Sequence, residues 1–193
     1  MESRKFDPKH IERLFDPDRV KIQDPDLIWE KIAIPDPKVL IDIGAGTGFF
    51  ALPFSEKMTG GTVYACDISD KMLSWMADNF PEKYRGVVIP TKSEESRVPL
   101  PDGNADLVYM VNLHHELEEP EAMMLEAYRL LKPNGLLMIV DWNDKAPFGP
   151  PMEIRVSEET ICRHVENAGF IETRAYDDLP YSHFLVAKKP SGY

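Results

Sequence analysis

From residue 38 onward, short apolar runs of strand length alternate with segments of helical spacing, and this alternation limits the chain to few folds. Strands joined through helices run mostly parallel, with right-handed crossovers and helices on both faces of the sheet. The last two runs, FIETRAY and YSHFLVAKK, are separated only by DDLP, which predicts an antiparallel hairpin. We therefore predict an α/β, doubly wound sheet with helices on both faces.

The first 37 residues have a different pattern, in which Asp-Pro occurs four times, beginning at residues 7, 16, 24 and 36. Aspartate is a favoured helix N-cap, and proline is tolerated at the first helical position. This predicts three short helices near 8–15, 17–22 and 25–33. Such a cap is either a structural collar or a lid over a ligand, and the pattern leaves both open. We expect one domain over 1–193, with the cap at 1–37 and the core at 38–193.

Length and charge limit what the chain can be. A chain of 193 residues is long enough for one well-packed domain and too short for two ordinary ones. The formal net charge is −11, with no cluster of Lys and Arg along the chain. That composition disfavours nucleic acid or an anionic membrane as a partner. No window has the apolar length of a membrane span, and the opening MESRKFDPKHIERLFDPDRV lacks the apolar core of a signal peptide. The two cysteines fit a reducing compartment, so we expect a cytoplasmic protein. We also expect a monomer or homodimer.

Three glycines, Gly44, Gly46 and Gly48, follow the first buried strand and open a helix in the stretch IDIGAGTGFF. In this context Gly44 permits a sharp turn, Gly46 lets a ligand touch the backbone, and Gly48 lets the helix start close to the strand. A tight turn without a ligand would need fewer glycines. The loop therefore predicts a ligand at the end of this strand.

Asp67 ends the second strand, about twenty residues beyond the glycines, where an acidic side chain can accept hydrogen bonds from a ribose diol. The alternative is that Asp67 caps the helix that follows, and the two roles can coexist. The ribose interpretation predicts an adenosine-containing ligand. A dinucleotide loop is spaced G-x-G-x-x-G, whereas the spacing here is G-x-G-x-G, and the short chain leaves little room for the substrate region of a nicotinamide enzyme.

Four segments now stand in a recognisable order: VLIDIGAGTGFFALPFSE, VYACDIS, SEESRVPLPDGNADLVYMVNLHHEL and EAYRLLKPNGLLMIVDW. Together they resemble the class I S-adenosylmethionine-dependent methyltransferases, in particular the small-molecule group of the ubiquinone/menaquinone-biosynthesis type. The resemblance covers about 38–142. It implies a Rossmann-like sheet of seven strands in the order 3-2-1-4-5-7-6 with strand 7 antiparallel. It also implies S-adenosyl-L-methionine as cofactor and methyl transfer to a small-molecule acceptor.

The resemblance assigns cofactor contacts along the whole crevice, from the methionine end to the adenine. The family's Asp-Ala pair near the adenine falls on Glu94 and Glu95 here, which changes that contact. The implied cofactor-binding residues are Asp42, Gly44, Ala45, Gly46, Gly48, Asp67, Ile68, Met72, Glu94, Glu95, Val111 and Asn112.

Catalytic residues are harder to identify from the sequence than cofactor-binding residues, because transfer from an activated methyl donor mainly requires alignment of the acceptor and exclusion of water. His114, His115 and Asp141 are candidates for a base, although a structural or cofactor-shell role for the histidines is also open. Adjacent histidines point in different directions, and Asn112 stands where related metal-dependent enzymes need an acid, so we predict no metal site.

The acceptor site is expected after the fifth strand. Trp142 would be a wall of that site, and the proline-rich loop APFGPPMEIRV would supply Phe148 and Met152. The alternative for the loop is an inert surface segment. Two other functions stay open: a catalytically silent adenosine-binding regulatory module and a nicotinamide-dependent oxidoreductase.

Overall fold

The computed structural model describes residues 5, 6, 9, 11, 14 and 18–192 of the chain. The strands are β1 Val39–Ile43, β2 Thr62–Asp67, β3 Val88–Lys92, β4 Ala105–Val111, β5 Leu131–Trp142, β6 Ile171–Tyr176 and β7 Ser182–Lys188. The α-helices are α1 Arg19–Ile22, α2 Pro25–Ile32, α3 Ala51–Glu56, α4 Asp70–Asn79, α5 Pro120–Leu130 and α6 Glu158–Asn167. Short 3-10 turns occupy Glu82–Tyr84, His114–Glu116 and Met152–Ile154.

The strands form one sheet in the order β3-β2-β1-β4-β5-β7-β6. The neighbours from β3 to β5 are parallel, and β7 is antiparallel to both β5 and β6. This confirms the predicted order, the doubly wound class and the closing hairpin.

Alternation along the strands divides the apolar side chains between two cores. In β5, Leu137 and Ile139 enter one core, which α5 and α6 cover. Met138 and Val140 enter the other, which α2, α3 and α4 cover. Strands buried on both faces explain why the sequence shows continuous apolar runs rather than alternation with polar residues.

Local capping fixes where several helices begin. The Asp24 carboxylate accepts from the Asp26 N–H at 2.8 Å ahead of Pro25. The Ser69 hydroxyl accepts from the Met72 N–H at 3.4 Å. The Ser157 hydroxyl accepts from the Thr160 N–H at 3.3 Å and caps α6 without a full capping box, which would need Glu or Gln where Thr160 stands.

One sequence prediction falls largely outside the described residues, and another was wrong. The helix predicted at 8–15 lies largely outside the described residues, whereas the other two predicted cap helices correspond to α1 and α2. The segment KPNG has the composition of a turn, which predicts that it ends a helix before a strand starting at Gly135, and this prediction was wrong. Helix α5 ends at Leu130, and β5 begins at once because Leu131 pairs with Ala105. Asn134 adopts a φ of 64° within this extended segment, and its N–H bonds to the Lys189 carbonyl.

The order of the strands reverses between β1 and β4, and open α/β sheets bind ligands at the carboxyl ends of the strands beside such a reversal, a place that we call the crevice. The glycine loop, the end of β2, the loop after β4 and the end of β5 all meet at this edge. Across the described part of the chain, no helix combines the length and the apolar character that a membrane crossing requires.

Candidate active site

The three loop glycines have different reasons to be glycine, although all have positive φ, at +74°, +56° and +74°. A Cβ at Gly44 would lie 2.8 Å from a Leu113 methyl carbon, and one at Gly48 would lie 2.5 Å from the Phe80 ring. A Cβ at Gly46 would meet only the Leu14 side chain among the described residues, at 3.2 Å. Packing inside the protein therefore requires Gly44 and Gly48, while Gly46 presents bare backbone beneath the N-terminal segment.

Asp67 holds the glycine loop and the start of α4 together. One carboxylate oxygen accepts from the Gly46 N–H at 2.8 Å, and the other accepts from the Ser69 N–H at 2.8 Å. Burial raises the pKa of Asp67, although these backbone donors oppose the shift. A carboxylate can accept about four hydrogen bonds, so capacity remains for a ligand diol. The contact between Asp67 and the start of α4, which the sequence offered as an alternative role, is thus present.

Asp42 lies fully inside the protein at the end of β1. Burial, with a further contribution from the Asp67 charge, raises the pKa of Asp42 to about 8, while Tyr109 and Arg19 act in the opposite direction. The buried Tyr109 hydroxyl is close enough to Asp42 for that charge to raise the Tyr109 pKa, yet it makes no hydrogen bond of normal geometry among the described residues. The crevice therefore contains a carboxyl that is costly to ionise without a cation.

The predicted adenine end is only partly open. Ile68 is 41% exposed at the end of β2 and presents an apolar surface to a flat ligand, whereas Met72 is 4% exposed and packs inward. Glu94 pairs through its backbone with Arg97, and the Glu95 carboxylate pairs with the Lys5 ammonium at 2.6 Å. The predicted methionine-end residues Ala45 and Val111 are buried at the edge of the second core.

The described residues of the N-terminal segment contact the crevice at several separate points. Beyond Leu14 at the glycine loop and Lys5 at Glu95, the Phe6 N–H donates to the Glu116 carboxylate. Nearer the core, the Gln23 and Asn112 side-chain amides bond reciprocally at 2.8 and 3.0 Å. The Gln23 amide also donates to the Ser182 hydroxyl at 2.9 Å.

Sequence reasoning missed Gln23, which is 1% exposed. Nothing near Gln23 in the sequence indicates its role, because its hydrogen-bond partners lie 89 and 159 residues away along the chain. The same bonds fix Asn112, a predicted cofactor residue with a φ of +56°, to the cap.

His115 and Asp141 form a buried pair between the loop after β4 and the end of β5. The His115 N–H donates to one Asp141 oxygen at 2.9 Å, and its ring Nδ1 lies 2.7 Å from the other. If Nδ1 carries the proton in this bond, Nε2 is the ring atom that can accept one. The structure thus brings together two of the three predicted catalytic residues.

His114 points elsewhere. Its Nε2 lies 3.2 Å from His164 Nδ1 on α6, and the two rings are stacked. Burial lowers the pKa of His114 to about 4, so it is neutral at pH 7. The adjacent histidines therefore face different partners, as the sequence argument expected.

Glu116 completes this loop and was not identified from the sequence. Its carboxylate lies 3.8 Å from His115 Nε2, and its side chain is 17% exposed. Burial, more than any nearby charge, raises the pKa of Glu116 to about 7. Nothing in the sequence singled it out from the other two glutamates of NLHHELEE, because its position depends on a hydrogen bond from the distant Phe6 N–H.

Aromatic rings form the predicted wall beyond Asp141. Phe148 contacts both Trp142 and Tyr181 edge to face, with ring centroids 5.6 and 5.3 Å apart. Phe148 and Met152 remain exposed. The Arg155 guanidinium donates to the backbone carbonyls of residues 143, 146, 148 and 150 at 2.8–2.9 Å. The proline-rich loop is therefore held in one shape, through Arg155 and Tyr181, which the sequence analysis missed.

Comparisons with known proteins agree with this geometry. A family model described as a methyltransferase domain matches residues 41–139. A ubiquinone/menaquinone biosynthesis C-methyltransferase from Cupriavidus necator is 34% identical over 125 residues, covering 60% of this chain and 50% of that protein. A demethylmenaquinone methyltransferase from Chlamydia muridarum is 32% identical over 111 residues, covering 58% of this chain and 47% of that protein. The chain spans about half the length of these curated relatives.

Among solved structures, a SAM-dependent methyltransferase from Aquifex aeolicus superposes with a TM-score of 0.86. It is 31% identical, and the match covers 95% of this chain and 99% of that one. The residues at the crevice suit an adenosyl cofactor, since bare backbone at Gly46 lies beside Asp67 and an exposed Ile68. The chain belongs to the class I methyltransferases, with S-adenosylmethionine as its cofactor.

Proposed function

We propose that this methyltransferase acts on a small-molecule acceptor bound between the His115–Asp141 pair and the Trp142 wall. The observation that carries the proposal is the position of two consecutive residues at the end of β5. Asp141 bonds to His115, and the Trp142 ring contacts Phe148 edge to face. A proton acceptor and an aromatic surface thus lie at the same edge of the sheet as the glycine loop.

The chemistry is an in-line displacement. The acceptor attacks the methyl carbon, the carbon–sulfur bond breaks, and S-adenosylhomocysteine leaves with the bonding electron pair. Alignment of the two reactants alone can supply roughly 7–11 kcal/mol of the barrier. When the acceptor must lose a proton, His115 Nε2 takes it, and Asp141 stabilises the resulting imidazolium through Nδ1.

An aromatic wall favours an acceptor with a planar apolar part. Edge-to-face packing of such a ring against Trp142 or Phe148 contributes about 0.5–1.5 kcal/mol beyond the area buried. The printed names of two curated relatives, which refer to ubiquinone or menaquinone biosynthesis and to demethylmenaquinone, support the same class of acceptor. We propose an aromatic acceptor with an ionisable hydroxyl.

The crevice residues receive their roles as part of this proposal. Asp67 accepts from the ribose hydroxyls, Ile68 packs on the adenine, and Glu94 or Glu95 accepts from the adenine amino group. Glu95 must then release Lys5, because the ammonium lies 2.6 Å from its carboxylate. The contact of Leu14 with Gly46 supports a lid role for the cap.

We further propose a cytoplasmic protein that acts as a monomer or homodimer without nucleic acid. The two cysteines are free thiols, which suits a reducing compartment. The net charge of −11 opposes binding to a phosphate backbone.

Incubation with methyl-labelled S-adenosylmethionine and a small-molecule cell extract tests the proposal. We expect one labelled aromatic product whose formation falls at least about 100-fold in His115→Gln, with Glu119→Gln as the matched exposed control on the same segment. S-adenosylhomocysteine binding without any labelled product would instead support a silent regulatory module. Quenching of reduced-nicotinamide fluorescence would support an oxidoreductase, which the family comparisons do not favour.

A further inference from the structure

Glu116 occupies a special position within the crevice. It follows β4 in the short turn that also carries Leu113, whose side chain closes over Gly44. The Phe6 N–H reaches its carboxylate from the N-terminal segment. The group therefore lies between the glycine loop and the covering segment.

Acidic and basic groups from different strands surround the Glu116 carboxylate. Asp67 acts on it from the end of β2, and Asp141 acts on it from the end of β5. His115, on the same turn, is a potential cation whose Nε2 lies 3.8 Å from the carboxylate. Lys5, one residue before Phe6, pairs with Glu95 and Glu118.

The proposed function places the ribose at Asp67 and the acceptor beside Asp141, so the sulfur of the cofactor must lie between them. Glu116 lies on this stretch of the edge, in the turn whose Leu113 packs at Gly44, and its carboxylate is 3.8 Å from His115, the residue bonded to Asp141. We propose that Glu116 recognises the positive charge of the sulfonium and makes the enzyme prefer the charged donor over its neutral-sulfur product. This inference rests on the proposed function and adds a charge-reading residue to it.

The same arrangement keeps the charge balanced through the reaction. Before transfer, the Glu116 carboxylate faces the sulfonium. During transfer the sulfur becomes neutral, the acceptor gains the methyl group, and its proton passes to His115. The imidazolium then stands 3.8 Å from Glu116 in place of the lost sulfonium charge. The product nucleoside has no such partner and is released more readily.

Calorimetry without any acceptor tests this directly, with S-adenosylmethionine and S-adenosylhomocysteine as the two probes. At pH 8, Glu116→Gln should reduce the preference for the charged donor about tenfold, chiefly by weakening the donor. Glu119→Gln, which removes an exposed carboxylate three residues away, should leave the preference unchanged, and Glu116→Asp should retain part of it.

A pH series separates charge recognition from a merely structural role. Because a carboxylate attracts a cation only when ionised, the wild-type preference for the donor should grow between pH 6 and pH 8. In Glu116→Gln the preference for the donor should not show this growth. Titration of the ligands themselves affects both proteins equally and therefore cancels when their pH profiles are compared. If Glu116→Gln fails to fold, the wild-type series and Glu116→Asp still decide the question.

Two results would count against different claims. An unchanged preference in Glu116→Gln, or equal weakening of both ligands, overturns the role of Glu116 while leaving the methyltransferase assignment intact. No binding of either ligand to the wild-type protein overturns the proposed function itself.

Discussion

The cofactor half and the acceptor half of the active edge are held together in different ways. In the cofactor half, the Asp67 carboxylate bonds to backbone N–H groups 21 and 2 residues away. In the acceptor half, His115 and Asp141 are 26 residues apart, and Phe148 packs on Tyr181 from a different strand connection. The proposed cofactor half is thus fixed largely by hydrogen bonds to the backbone, and the proposed acceptor half by side chains from distant segments.

Substitutions of the loop glycines should have the largest effects in the cofactor half. We expect Gly48→Ala to lower the free energy of unfolding by about 3 kcal/mol, because its Cβ would overlap Phe80 at a positive φ. Gly46→Ala should cost only about 1 kcal/mol of stability yet weaken cofactor binding at least about tenfold. Urea unfolding and calorimetry measure the two effects. Equal stability losses in the two variants would contradict the different reasons given for these glycines.

His114 tests how the acceptor half is anchored to α6. Its pKa of about 4 lies below the ordinary value of 6.5. Its contribution to stability is therefore fully present above pH 6.5 and is lost as the pH falls toward 4, since the unfolded chain binds the proton first. We expect about 2 kcal/mol of the wild-type unfolding free energy to be lost between pH 7 and pH 4.5 for this reason.

His114→Gln should remove that part of the pH dependence, measured by urea unfolding at several pH values. His183→Gln, at a partly buried histidine on β7, is the comparison variant. An equally steep acid loss in His114→Gln would show that another group is responsible.

Arg155 tests whether the proline-rich loop is a wall or an inert segment. Arg155→Gln removes donors to the backbone carbonyls that shape the loop. We expect KM for the acceptor identified by labelling to rise about fivefold, because an unconstrained loop must be ordered on binding. Cofactor affinity should not change. An Arg163→Gln variant on the exposed face of α6 serves as control, and an unchanged KM in Arg155→Gln would favour the inert-segment alternative.

The same contrast explains what could be predicted from the sequence. The alternation of strands and helices, the closing hairpin and the positions of Gly46 and Asp67 follow from apolar periodicity and a local motif, which short stretches carry. The full strand order was implied by the resemblance to a known family. Gln23, Glu116 and Tyr181 were missed, because each gains its role from a residue far along the chain or from the N-terminal segment. Arg155 was missed for a different reason: its bonds to backbone carbonyls 5–12 residues away depend on how the loop folds and not on which residue types it contains. The helix end at KPNG was misread, because pairing of Leu131 with Ala105 overrode the local turn signal.

Calorimetry of S-adenosylhomocysteine binding to the wild-type protein and to Asp67→Ala tests the central claim most directly. The claim is that an adenosyl cofactor lies against the backbone at Gly46 with its ribose on Asp67. We predict saturable binding to the wild type and an affinity lower by about 100-fold in Asp67→Ala, since hydrogen bonds to a charged group contribute about 1.5–3 kcal/mol each. Asp70→Ala, at an exposed acid on the same segment, should bind as the wild type does. Absence of binding to the wild type, or undiminished binding to Asp67→Ala, would contradict the account.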